Sequence, residues 1–341
     1  MTRTVFFIPA LKKMSGGLAN IYTVARNLAD AGRDVALMGP SVDAAGLKEA
    51  EADGLAVLPW GAALASSDIW CIPESWPNAL SVGVNAGARV LVYVQNWIYM
   101  LGTLPDGVRW KQLPLEYAAV SRPVAWFMRE VLGLESRGVV PPVIDAAFFR
   151  QERKAAAPVR VAYMPRKNRA LADQIRNVAA ACLAEREKAP RVEWVEINNR
   201  TRAEVAELLS SCHLFISTGF PEGFGLPPLE AMATGCVPVG FTGFGGWEYM
   251  RQAPDNGPDA GSVPAHMPPF SLASAAQGAC GNGFFFADGD TLGAGLALAR
   301  AVLRAHENGG DWQRLCASCR RTAEAYTNAA QQEALLRVFP V

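Results

Sequence analysis

Apolar residues recur along this chain in two alternating rhythms. Short β-favouring runs occupy positions 4–9, 34–38, 56–58, 68–72, 89–94 and 117–120. Between the first two, Leu18, Ile21, Tyr22, Ala25, Leu28 and Ala29 follow one another at helical spacing, and Gly32 ends that stretch. The alternation restarts with strands at 159–163, 192–197, 214–217 and 237–240 and helices at 169–183, 202–210 and 228–234. Thr201 and Glu204, three residues apart, predict a capping box opening the 202–210 helix. Two helical stretches, 291–306 and 311–337, close the chain. Strands alternating with helices predict parallel sheets covered on both faces.

A Pro-Pro pair in GVVPPVID (138–145) and an Ala-rich, unpatterned stretch at 154–158 interrupt the rhythm. The expected organisation is an N-terminal Rossmann-like domain over 1–145, a hinge over 146–158, and a second Rossmann-like domain over 159–325. A C-terminal helix over 326–341 is expected to pack back on the first domain. Residues 253–283, rich in Pro, Gly, Ala and Ser, read as a long irregular excursion. Two doubly wound halves of this kind predict a ligand cleft at their facing carboxyl strand edges.

Composition narrows the partner. The 341 residues are half apolar, and 32 basic side chains balance 32 acidic ones. Zero net charge counts against a nucleic-acid binder and favours a small or uncharged ligand. Seven cysteines without framework spacing point to a reducing compartment. The first apolar run is too short for a secretion signal, and no uncharged apolar stretch reaches the ~18 residues a membrane span needs. The expectation is a soluble intracellular protein.

The chemistry concentrates in TGFPEGFGLPPLEAMATGCVPVG, residues 218–240. Glu222 and Glu230 stand eight positions apart, separated by a glycine-rich turn and a Pro-Pro helix start. Gly223 and Gly225 let backbone amides approach a ligand closely, and Pro227 and Pro228 suit first-turn positions. The helix start then presents N–H groups and a positive dipole end to an anion. Two carboxylates beside that site would repel a diphosphate, so each suits a neutral partner. Vicinal hydroxyls fit, because a carboxylate accepts from two donors at once. A ligand with sugar at each end and phosphate in the middle is a nucleotide sugar.

Glu222-x7-Glu230 within EGFGLPPLEAMATGCVPV resembles the signature of the large retaining family of two-domain GT-B glycosyltransferases that use sugar nucleotides, the group 1 or family 4-like enzymes. The likeness extends to SGG at 15–17, AVSRPVAWFMREVLG at 119–133, VVPPVID followed by Phe148, YMPRKN at 163–168 and GFFFADGD at 283–290. The resemblance implies a GT-B α/β fold with two Rossmann-like domains facing a central cleft. It implies that Glu222 contacts hydroxyls of the transferred sugar and that Glu230 holds the ribose. The amides of Gly223, Phe224, Gly225 and Leu226 would face sugar and diphosphate. Arg166 and Lys167 would neutralise the diphosphate and the charge of the leaving group, with Arg169 a substitute because the family's pair is usually spaced further apart. Gly16 and Gly17 would approach the donor from the first domain.

One position departs from the family pattern. A histidine common on the first domain's cleft side is replaced within YVQNW, where Gln95 and Asn96 become the acceptor-side candidates. All three histidines, His213, His266 and His306, fall in the second half. Other features read as structural. Asp288-Gly289-Asp290 is a turn before a helix, and Cys316 and Cys319 alone are too few for zinc. His213 is a packed histidine, and Trp97–Met100 is either core or an acceptor lip.

The resemblance therefore implies a metal-independent, cofactor-free transferase moving a hexose-like sugar from a nucleotide-diphosphate donor to a hydroxyl acceptor that is glycan, lipid-linked or protein-linked. The implied setting is polysaccharide, lipopolysaccharide or glycoprotein glycan assembly, in the cytoplasm or at the cytoplasmic face of the membrane, with peripheral membrane contact left open. A non-catalytic partner subunit, or an epimerase or phosphorylase on the same fold, are the alternatives.

Overall fold

The computed structural model describes residues 2–149, 154, 157–254, 266 and 281–339. Most of the 253–283 excursion and part of the 146–158 hinge lie outside these described residues. The chain divides into two compact units, Met1–Val143 with Tyr326–Val341, and Ile144–Ala325.

The first unit holds β1 (Arg3–Phe7), α1 (Gly16–Asp30), β2 (Asp34–Met38), α2 (Ala45–Ala52), β3 (Ala56–Leu58), β4 (Ile69–Pro73), α3 (Leu80–Asn85), β5 (Arg89–Val94), β6 (Glu116–Ala119) and α4 (Arg122–Leu132). Among the described residues its sheet has the order β3-β2-β1-β4-β5-β6 with parallel pairing. The central strands are buried on both faces, which is why they read as continuous apolar runs. Trp70 of β4 is fully buried and donates Nε1–H to the Ala79 carbonyl at 2.8 Å. Gly83 of α3 permits that packing, since a Cβ there would stand 2.7 Å from both the Trp70 ring and Val90. Helix α1 begins at Gly16, before the apolar repeat itself, because the Ser15 hydroxyl accepts from Leu18 N–H at 3.2 Å.

The second unit holds β7 (Val159–Tyr163), α5 (Arg169–Ala184), β8 (Val192–Glu196), α6 (Arg202–Ser210), β9 (Leu214–Ser217), α7 (Leu226–Ala233), β10 (Val237–Phe241), β11 (Phe284–Phe286), α8 (Thr291–Glu307) and α9 (Gly310–Ala323). Its sheet runs β11-β10-β9-β7-β8, again parallel. The Thr201–Glu204 capping box is formed in both directions. The fold is thus α/β with two Rossmann-like parallel-sheet units. Strand β11 was not expected from the sequence: its FFF run is only three residues and borrows its regularity from pairing with β10.

The 311–337 stretch is two helices and not one. Helix α9 stops at Ala323, and α10 (Asn328–Val338) starts afresh under a Thr327 cap that accepts from Ala330 N–H at 3.2 Å. Tyr326, Thr327 and Asn328 are poor helix-interior residues, and a threonine cap competes with continuation. Helix α10 lies in the first unit against α1. Asn27 Nδ2 donates to Gln331 Oε1 at 2.7 Å and to Asn328 Oδ1 at 3.0 Å, while Gln331 Nε2 donates to the Pro141 carbonyl at 2.7 Å.

Gln331 is 1% exposed and Asn27 4%, so truncating one strands buried partners. Gln331→Ala is expected to cost the first unit about 1–3 kcal/mol in urea unfolding. An unchanged midpoint would show that α10 is not anchored through this amide pair.

Candidate active site

Open parallel sheets bind ligands where strand order reverses, beyond the carboxyl ends of the strands. In the second unit the chain steps from β7 outward to β8 and then returns to β9 on the other side of β7, so the reversal falls between β7 and β9. The loops leaving those two strands carry MPRKN (164–168) and TGFPEGFG (218–225).

Side chains stitch the two loops together. Asn168 caps α5 in the left-handed region, φ 62°, and its Nδ2 donates to the Thr218 carbonyl at 2.8 Å. Thr218 returns its hydroxyl hydrogen to the Lys167 carbonyl. Lys167 Nζ donates to Glu222 Oε1, with the two side chains 31% and 18% exposed. Glu222 is fixed from the far side as well: its N–H donates to Gly243 O at 2.9 Å, and its carbonyl accepts from Gly245 N–H at 3.0 Å. A pocket of about 360 Å³, counted out to solvent, opens here, with Lys167, Ser217, Thr218, Glu222, Gly225 and Thr242 among its walls.

Gly225 stands at φ 85°, a conformation that costs a side-chain-bearing residue, and the Tyr249 hydroxyl donates to its carbonyl. Helix α7 begins at Leu226, two residues before the expected start, which places Pro227 and Pro228 at its second and third positions. The expected array of helix-start donors is correspondingly thinner. Two of the four terminal N–H groups do not exist, and those of Gly225 and Leu226 remain. Gly223 and Phe224 are buried behind this turn, with the Phe224 ring 5.5 Å from Tyr249.

Glu230 faces α6, outside that pocket wall. Its side chain is 13% exposed, and Arg202 Nη2 stands 3.7 Å from Oε1, too far for a hydrogen bond. No hydrogen bond of ordinary length from a described residue reaches its carboxylate, so an almost buried acceptor keeps most of its capacity. Burial pushes its pKa up to about 7; Arg202 opposes the rise and Asp145 adds to it.

The remaining second-unit candidates separate cleanly. Arg166 is exposed and pairs with no described residue. Arg169 is committed to Glu196 Oε1 at 2.9 Å, outside the stitched loops, which weakens it as the substitute cation. Asp288 and Asp290 spend their carboxylates on backbone, accepting from Gly243 N–H at 2.9 Å and Gly293 N–H at 2.8 Å. Cys319 donates its thiol hydrogen to Asn282 O at 3.2 Å, and His213 Nδ1 accepts from Arg160 N–H at 3.1 Å.

The first unit has its own reversal point, between β1 and β4. Gly16 and Gly17 form the first turn of α1, and Gly17 lies beside the Gln95 side chain. Asn20 Nδ2 donates to Gln95 Oε1 at 3.0 Å and to Tyr93 Oη at 2.9 Å. Asn96 uses its side chain to cap the turn at Ile98 N–H, 3.3 Å away. Beneath both lies a residue the sequence reading missed. Glu74, 2% exposed, accepts from Gln95 N–H at 3.0 Å and Asn96 N–H at 2.9 Å. An acid directly after a buried strand, in IPESWP, was the available signal; Asn168 and Arg202 were likewise passed over as loop and cap residues.

Comparison with known proteins follows the same line. The family model described as "Glycosyl transferases group 1" matches residues 181–257. An alpha-1,6-glucosyltransferase of Actinobacillus pleuropneumoniae serotype 7 (strain AP76) is 26% identical over 182 residues, 52% of this chain and 54% of the relative. The chain therefore spans about half the length of the curated relative it matches. A glycosyltransferase from Rickettsia africae ESF-5 superposes with a TM-score of 0.68 at 13% identity, over 99% of this chain and 97% of the other. The catalytic domain of starch synthase IV from Arabidopsis thaliana does so at 0.59 and 13%, over 99% of each. At that identity the structures establish the fold, GT-B. Among the described residues, no helix is long and apolar enough to cross a membrane.

Burial pushes the Glu74 pKa up to about 7 from 4.5, against the pull of the amides it accepts from. The folded chain thus holds a proton that the unfolded chain has released, and this group's contribution to stability falls as pH rises from about 4.5 to about 7. Glu74→Ala leaves two backbone N–H groups unmet and is expected to cost about 2–4 kcal/mol in denaturant unfolding. A loss below about 1 kcal/mol would mean water replaces the carboxylate there.

Proposed function

In a chain that carries the group 1 glycosyltransferase segment on a GT-B fold, we propose that the second unit binds a nucleoside-diphosphate sugar and that the protein transfers the sugar, with retention of configuration, to a hydroxyl acceptor. The observation that carries this reading is the contrast between the two motif glutamates. Glu222 is held by Lys167 at the strand-order reversal, while Glu230 keeps an unspent, nearly buried carboxylate one helix turn beyond Pro227 and Pro228.

Each group has a task in that reaction. Glu222 accepts hydroxyls of the sugar being transferred, and Lys167, already beside it, shares its remaining two N–H donors with the diphosphate. As the glycosidic bond breaks, negative charge grows on the departing diphosphate. A cation fixed beforehand stabilises that charge more in the transition state than in the ground state. Arg166, unpaired among the described residues, supplies a second mobile cation, and the Gly225 and Leu226 amides supply neutral donors. Glu230 accepts from both ribose hydroxyls. In the proposal these cations stand where a metal ion would otherwise neutralise the diphosphate, and the acceptor attacks from the leaving-group face. The glucosyltransferase relative supports a hexosyl donor, and surface-glycan assembly is the setting proposed for it.

Glu230→Ala is expected to weaken UDP, GDP or ADP binding by about 1.5–3 kcal/mol, roughly 10- to 150-fold. The same contact predicts that UDP binds more tightly than its 2′-deoxy counterpart in calorimetry. Equal affinities would remove the ribose assignment.

Lys167→Ala should lower the maximal transfer rate by ~10²–10³-fold while donor affinity falls less. Arg169→Ala is expected to leave the rate within a few-fold, and EDTA is expected to leave turnover intact. A chain that binds the donor and never releases nucleoside diphosphate would instead be a non-catalytic partner.

A further inference from the structure

Arg202 occupies an awkward place. It is the first residue of α6, where the helix dipole disfavours a cation. The Thr201–Glu204 box fixes the backbone there, and the guanidinium carbon stands 6.0 Å from the Phe148 ring centroid. From that position Arg202 reaches two carboxylates at once, Glu230 Oε1 at 3.7 Å and Asp145 Oδ2 at 3.9 Å. Both separations exceed hydrogen-bond length. At that separation the cation acts on Glu230 chiefly through its charge, with at most a long, weak contact to one oxygen.

We propose that Arg202 is a positioning residue that favours the ionised form of Glu230 around neutral pH while leaving its carboxylate able to accept, so that Asp145, Arg202 and Glu230 together set the pH range in which the chain captures a ribose diol. This rests on the ribose reading of Glu230. The chemistry follows from acceptor counting. An ionised carboxylate accepts from both vicinal hydroxyls, whereas a protonated one must place a hydrogen of its own in the same small space. Burial drives Glu230 toward the protonated form. Among the described residues, the charged groups acting on it are Arg202 of α6, which favours the anion, and Asp145, which disfavours it. A carboxyl whose pKa is already about 7 has no margin, so losing Arg202 moves it into the protonated state at pH 7.

The test is calorimetric titration of the whole chain with UDP, GDP and ADP from pH 6 to pH 9, on the unmodified protein and on Arg202→Met, Arg202→Lys, Asp145→Asn and Glu230→Gln, each checked for folding by thermal unfolding. The terminal phosphate of the nucleotide titrates near pH 6 in every case, so the comparison between variants carries the result. Arg202→Met is expected to bind ~5-fold more weakly at pH 7 and to approach the unmodified affinity by pH 9, which amounts to a displacement of about one pH unit. Arg202→Lys should restore most of the loss, and Asp145→Asn should extend binding to lower pH. Glu230→Gln should bind weakly with no variant-specific pH dependence.

A loss in Arg202→Met that is equal at every pH, or no loss, overturns the proposal while a weak Glu230→Gln keeps the ribose reading. Full affinity in Glu230→Gln, or no binding of any of the three nucleotides to the unmodified chain, overturns the ribose reading and this inference with it.

Discussion

The second unit's site depends on one constraint: two loops leaving adjacent parallel strands in opposite directions must be held together at their roots. The parallel sheet alone does not do this, since each loop hurries away to its own helix. Asn168 solves it by adopting φ 62° and turning its amide onto the Thr218 carbonyl, while Thr218 returns a hydrogen bond to Lys167. Asparagine tolerates the left-handed region better than most residues and brings its own donor. With the backbone fixed in this way, Lys167 and Glu222 meet without either side chain having to search for the other. Preorganised charge of this kind needs little rearrangement when a ligand arrives.

The same economy explains how the motif glutamates differ although they sit eight residues apart. Glu222 lies on a turn bonded on both sides by backbone, so it is aimed and paired. Glu230 lies on a regular helix against α6 and receives only a distant cation. Glu74 in the first unit is the counterexample: more deeply buried, with its pKa likewise raised to about 7, it is spent on two consecutive amides just beyond β5. Burial alone therefore does not mark a ligand-binding carboxylate. The two differ in the number of donors already reaching them.

Much of this was legible beforehand because strand and helix periods differ so strongly. The runs at 34–38, 56–58, 89–94 and 159–163 became strands with those limits, and the 202–210 helix starts at its capping box. An element that depends on its partner was not legible: β11 is three residues long and takes its regularity from pairing with β10. Within the site, the glycines and glutamates of 222–230 announced themselves by spacing. The residues that orient them did not. Asn168, Thr218, Arg202 and Tyr249 act across 24 to 51 positions of sequence or through a backbone angle, and nothing in their local pattern separates them from ordinary loop and cap residues. The adjoining Arg166 and Lys167 looked equivalent in sequence, yet the fold aims one at Glu222 and leaves the other exposed.

The most direct test of the central claim, that the loops after β7 and β9 hold a nucleoside diphosphate with its ribose on Glu230, is a crystal structure of the chain with that ligand bound. The expected density places both ribose hydroxyls within 3.2 Å of the Glu230 carboxylate, within ordinary hydrogen-bond range, and the phosphates beside Lys167 and the Gly225–Leu226 amides. Nucleotide density away from α7, or a ribose turned from Glu230 with the carboxylate still unmet, would contradict it.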